Sequence, residues 1–251
     1  MEREQGFTAD SEITESLKVE ASTLTPEESQ ELKLLSASIK DEVMQRYGRF
    51  LSESTRERLK GIEERIIVTD RDSFEQFSQA WQPGPVRRGK EPIPPPWITA
   101  TYIPKGQLIV LKDPKESWDL IGAEEQEELI RHYGDERAAR KAAERMVLID
   151  NVVHEVIHQC EDTELPTSFL ELGTIYYQQP IMRKPGEAVM VPKGEEKRVA
   201  FYSHLVPKYG DAVHKLFFGT LIDPIQRAAI LSELTPTVIN KLFPREEGYS
   251  G

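Results

Sequence analysis

The sequence predicts an α+β fold, and three observations carry that prediction. Short β-branched runs at residues 65–69, 97–103 and 107–111 have strand composition and strand length. Longer stretches on either side repeat their apolar residues at helical spacing and begin with capping residues. One of these stretches ends in Val153-His154-Glu155-Val156-Ile157-His158-Gln159, a His-Glu-x-x-His pentad that requires a helix to work.

Residues 1–24 lack periodicity and are rich in Glu, Ser and Thr, the composition of a disordered acidic tail. Thr25-Pro26-Glu27-Glu28 combines an N-cap, a proline at the first helical position and a capping-box glutamate. It opens a helix that reaches Tyr47, is stopped by Gly48, and turns Leu32, Leu35, Ile39 and Val43 inward. Ser54 with Glu57 marks a second, short helix to about Glu63. These helices, residues 25–64, form an N-terminal portion.

Residues 65–69 then read as a strand, and Asp72 with Glu75 caps a helix through Phe74, Phe77 and Trp81. Residues 82–96, dense in proline, glycine and basic side chains, specify an extended loop that is a candidate autoinhibitory segment, as are the termini. The runs 97–103 and 107–111 flank Pro104-Lys105-Gly106 and read as an antiparallel hairpin. Residues 123–133 form an amphipathic helix closed by Gly134, and Asp135 caps the long histidine helix. Its core stripe is Ala139, Ala142, Met146, Ile149, Val153, Ile157 and Cys160. A helix follows over 166–177, then a loop over 181–197 with a short strand at 188–191, and helices over 199–209, 212–221 and 224–243.

The pentad carries the chemistry. Four helical residues advance about 6 Å and return to nearly the same azimuth, so His154 and His158 present imidazoles to one point, where Zn2+ would sit. Glu155 lies off the ligand axis, placed to handle a proton as general base instead of binding metal. A catalytic zinc site needs a third protein ligand. Glu171 is the first choice, in the second turn of the returning helix, although Ser168-x-x-Glu171 also fits a capping box. Glu164 is the rival, on a turn that has Glu161 where a tight return needs glycine. Tyr176, Tyr177, Tyr202 and His204 are candidate oxyanion donors.

Composition bounds the partners. The chain has 251 residues and 38% hydrophobic content, enough for a real core, and its formal charge of -11 disfavours nucleic acid or anionic membrane as a partner. The single cysteine, Cys160, permits no internal disulfide and falls on a core stripe. No stretch has signal-peptide or membrane-spanning character, so a cytoplasmic location is the default expectation.

His154-Glu155-Val156-Ile157-His158, twelve intervening residues and Glu171-Leu172-Gly173-Thr174 resemble the gluzincins, zinc peptidases with a downstream glutamate ligand. The order of elements from 65 to 179 is similar to the minimal catalytic unit of that group, the minigluzincins. The resemblance implies a zincin-like catalytic domain over 65–180, a small mixed or antiparallel sheet over the histidine and glutamate helices, followed by a C-terminal helical portion over 181–251. It implies a peptide or protein substrate received along an edge strand at 107–111. Two positions depart from it: the helix at 123–133 is an insertion, and Ile175 stands where members of the family carry an aspartate behind the ligands. The expected function is a zinc-dependent peptidase; the alternative is a catalytically silent scaffold of the same type that binds a protein partner.

Overall fold

The computed structural model describes residues 23–74, 100–103, 108–161, 164–182 and 195–243. The acidic tail up to residue 22, the proline-rich loop, most of the helix expected through Phe77 and Trp81, and the strand expected at 188–191 lie outside the described residues.

The expected zincin-like α+β fold does not form. The described chain is mostly helical, and its sheet holds three short strands: β1 (Ile66–Thr69), β2 (Ala100–Ile103) and β3 (Leu108–Lys112). Their order is β1-β3-β2, with β1 parallel to β3 and β2 antiparallel to it. Every residue of β1 and β3 is buried, which is why both read as unbroken apolar runs; strands covered on both faces have no polar side to alternate with. The edge-strand expectation fails with the same finding. Ile109 pairs with Ile66 on one side and Tyr102 on the other, so β3 is central and offers no free backbone for an added peptide.

The helices are α1 (Pro26–Tyr47), α2 (Glu53–Leu59), α3 (Ala123–Tyr133), α4 (Glu136–His158), α5 (Thr167–Met182), α6 (Glu196–Tyr209), α7 (Asp211–Phe217), α8 (Pro224–Ser232) and α9 (Pro236–Leu242). The α1 capping box forms as expected: Thr25 N donates to Glu28 Oε2 at 2.9 Å and Glu28 N to Thr25 Oγ1 at 3.2 Å. For α2 the cap is Ser52, not Ser54. Ser52 has extended backbone and accepts from Thr55 N, so the helix starts two residues earlier than its Ser-Glu pair suggests. Residues 224–243 form two helices because Thr235 caps α9 through Val238 N, and Pro236 cannot donate to a preceding turn.

The chain forms two compact units, residues 1–38 with 61–155 and residues 39–60 with 156–251. In the first, Trp118 packs with Ala139 and Ala143 of α4, and Ile121, Leu129 and Ile130 close over them. Small residues at this point of α4 leave room for the indole. Asp135 Oδ1 caps α4 through Ala138 N at 2.8 Å. The predicted stripe is buried at Ala139, Val153, Ile157 and Cys160, only half-buried at Ala142 and Ile149, and 48% exposed at Met146.

The second unit is built on aromatic side chains. Tyr177 of α5 is buried against Tyr47, Tyr176, Tyr202, Phe217 and Phe218, with ring centroids 4.7 to 5.5 Å away. Its hydroxyl shares a 2.7 Å hydrogen bond with His214 Nδ1. Gly173 lets α5 approach α7: a Cβ there would lie 2.2 Å from Phe217 Cε2. The Phe217 ring has little space to retreat into, with Tyr177 at 4.7 Å and Phe218 at 4.9 Å. Gly173→Ala is therefore expected to destabilise the protein by about 1–3 kcal/mol through overpacking, exceeding the ~1 kcal/mol gain in helix propensity. Denaturant titration checks this, and a variant as stable as the wild type would show that α5 and α7 can separate freely.

Candidate metal centre

The histidine helix runs unbroken to His158 and stops there, Gln159 and Cys160 forming a turn. His154 and His158 thus sit one helical turn apart at its C-terminal end. The next helix returns after a short connection, with Phe169 N and Leu170 N both donating to Pro166 O. Because α5 begins at Thr167, Ser168 lies inside its first turn rather than capping it, and Glu171 occupies the second turn. The capping-box alternative needs Ser168 ahead of the helix.

One ligand atom each from His154, His158 and Glu171 lies within 4.8 Å of the other two. His158 Nε2 is 3.7 Å from Glu171 Oε1. Two donors each about 2.1 Å from one tetrahedral ion stand roughly 3.4 Å apart, so this pair needs only a small movement to share an ion. All three side chains are partly exposed, which leaves solvent a route to the point they surround. Two imidazoles and one carboxylate are also the donor set of catalytic zinc sites, in which the fourth position stays open. Glu155 stands outside this group of three and is buried. Glu164 is exposed and also outside it.

The four candidate oxyanion donors divide sharply. Tyr177 and Tyr202 are fully buried in the aromatic core, the Tyr202 hydroxyl donating to the Tyr177 hydroxyl at 3.3 Å. Burial, first of all, pushes both phenols above their ordinary range. Their hydroxyls are used in packing the core. His204 is exposed on α6, near Glu233, whose carboxyl is held low chiefly by hydrogen bonds from Lys208 and Tyr209. Tyr176 remains half-buried, its ring 4.9 Å from that of Tyr202. Cys160 is buried, donates to Val156 O at 3.3 Å, and has its thiol pushed up by burial, so it is no nucleophile.

One residue at the centre escaped the sequence reading. In sequence Glu161 stands only where a tight return needs glycine, yet its Oε2 lies 2.9 Å from His158 Nδ1. The available signal was its spacing, three residues beyond a histidine at a helix end. Buried Thr174 approaches the same two groups, its Oγ1 3.4 Å from His158 Nδ1 and 3.5 Å from Glu161 Oε2. Arg58 of α2 fixes the turn from outside, donating from Nη2 to the Glu161 carbonyl at 3.0 Å.

Among the described residues no helix is long and apolar enough to cross a membrane. Comparison of the chain with protein-family models, with curated proteins and with solved structures finds no match.

Proposed function

We propose that the protein is a zinc-dependent hydrolase of peptide bonds, with His154, His158 and Glu171 as ligands and Glu155 as general base. The observation that supports this reading is the convergence of those three side chains within 4.8 Å. The reading rests on the site and not on the fold, since the same chemistry recurs on unrelated scaffolds.

Zinc bound to such a donor set supplies a Lewis acid that makes water a usable nucleophile near neutral pH and polarises a carbonyl. The chain's own residues supply the rest. His154 and His158 contribute neutral nitrogen donors from a rigid helix, and Glu171 contributes one negative charge from α5. Glu155, buried on α4 next to His154, takes the proton of the attacking water and returns it to the leaving amine. Its burial keeps bulk water from competing for that proton.

One observation favours a second reading, a metal-binding module that recognises a protein partner and cleaves nothing. β3, expected to receive an extended substrate, is paired on both sides. A peptide must then be held by other surfaces, or none is held for cleavage.

The wild-type protein is expected to bind one zinc per chain, and Glu171→Ala to lose stoichiometric zinc with its helical circular dichroism intact. Full retention of zinc by the folded variant would remove Glu171 from the ligand set. Glu155→Gln is expected to keep zinc and fold while hydrolysis of a peptide library or casein falls at least ~100-fold, the scale of general-base loss. If zinc-loaded wild-type protein cleaves nothing across such a library, the hydrolase reading fails and the binding module replaces it.

A further inference from the structure

We infer that Glu161 is a positioning residue for His158, accepting a hydrogen bond from Nδ1–H and so presenting Nε2 as the ligand atom. The inference rests on the metal-site reading above and deepens it. An imidazole has two nitrogens on opposite sides of its ring, and a neutral ring protonates one and offers the other. A metal-binding histidine must therefore hold its proton away from the ion. At His158 the two sides have different neighbours: Glu161 Oε2 at 2.9 Å from Nδ1, and Glu171 Oε1 at 3.7 Å from Nε2. The shorter contact is a hydrogen bond; the longer one spans the place of an ion.

Three further observations separate this from an ordinary surface ion pair. The Glu161 side chain is 11% exposed and that of His158 16%, so neither is a freely solvated group. Thr174, buried one turn beyond Glu171 on α5, stands 3.4 Å from the ring and 3.5 Å from the carboxylate. The backbone of Glu161 is itself tied down by Arg58 through the carbonyl and lies in a turn whose Cys160 N donates to Ile157 O at 2.8 Å. A carboxylate with this much support holds the ring plane as well as the tautomer. It also supplies, from the end of the histidine helix itself, the role that Ile175 is unable to fill on α5.

The test compares wild type, Glu161→Ala, Glu161→Gln and Thr174→Val for zinc affinity by chelator competition, and for His158 ring state by 15N-edited NMR of the zinc-loaded proteins. Glu161→Ala is expected to weaken zinc about 10–100-fold, the usual scale for losing such a partner. Glu161→Gln keeps an acceptor without its charge and should fall between that variant and wild type; Thr174→Val should change affinity least. In wild type, His158 should show a metal-bound Nε2 and a downfield Nδ1–H resonance, displaced upfield in Glu161→Gln and lost to solvent exchange in Glu161→Ala. A role limited to stability would lower the melting temperature without moving that resonance. Wild-type affinity and an unmoved resonance in the glutamate variants overturn the inference while leaving the metal site standing. If Glu161→Ala fails to fold, the Glu161→Gln resonance decides. Failure of the wild type to bind zinc removes the metal site and this role with it.

Discussion

Where α4 stops decides what its histidines can do. A helix one turn shorter would release His158 from the i, i+4 relation to His154. At the observed end the last helical residue is His158, and the turn that follows places Glu161 against it. Arg58 holds that turn by its carbonyl, and the connection to α5 is short enough that Glu171 in the second turn meets the histidines. Helix termination, elsewhere a local end effect, here helps fix the donors in one place.

Local chemistry was largely legible in the sequence, the α2 cap at Ser52 rather than Ser54 being an exception. Thr25 with Glu28, Asp135 and the His154/His158 pair follow from spacing along one helix, and each forms as spacing dictates. Glu171 needed one further assumption, the return of α5, and the register of that helix brings it to the histidines. The three strands and the β2–β3 hairpin were legible too, but the pairing of β3 with β1 was not. A central strand differs from an edge strand of similar composition by its second neighbour, which here lies tens of residues away; β3 pairs with residues 66–69 as well as with the adjacent 100–103. An apolar run such as 108–111 states that it is buried and leaves open on which sides. The zincin-like architecture was inferred from element order, and element order does not determine how little sheet a mostly helical chain will form.

The aromatic core reaches the metal centre through α5. Gly173 faces Phe217, while Glu171 two residues earlier and Thr174 one residue later turn toward His158. A helix carries such residues as a rigid body, so a shift forced at Gly173 moves the carboxylate and the hydroxyl together. Tyr177 and Tyr202, read from sequence as possible donors to a reacting group, instead give α5 this seating, and their hydroxyls bond within the core. Tyr177 resembles a site residue in sequence because it shares α5 with Glu171, whereas Tyr202 lies on α6.

The buried thiol of Cys160 has a practical side. The chain carries one cysteine in all, and it is enclosed, with its hydrogen directed at the Val156 carbonyl. A maleimide or spin label added to the native protein has no accessible sulfur to attack. One cysteine introduced on an exposed position of α8 would then be the sole reactive handle, and a paramagnetic or fluorescent group could be set at a chosen distance from the histidine turn with Cys160 left in place.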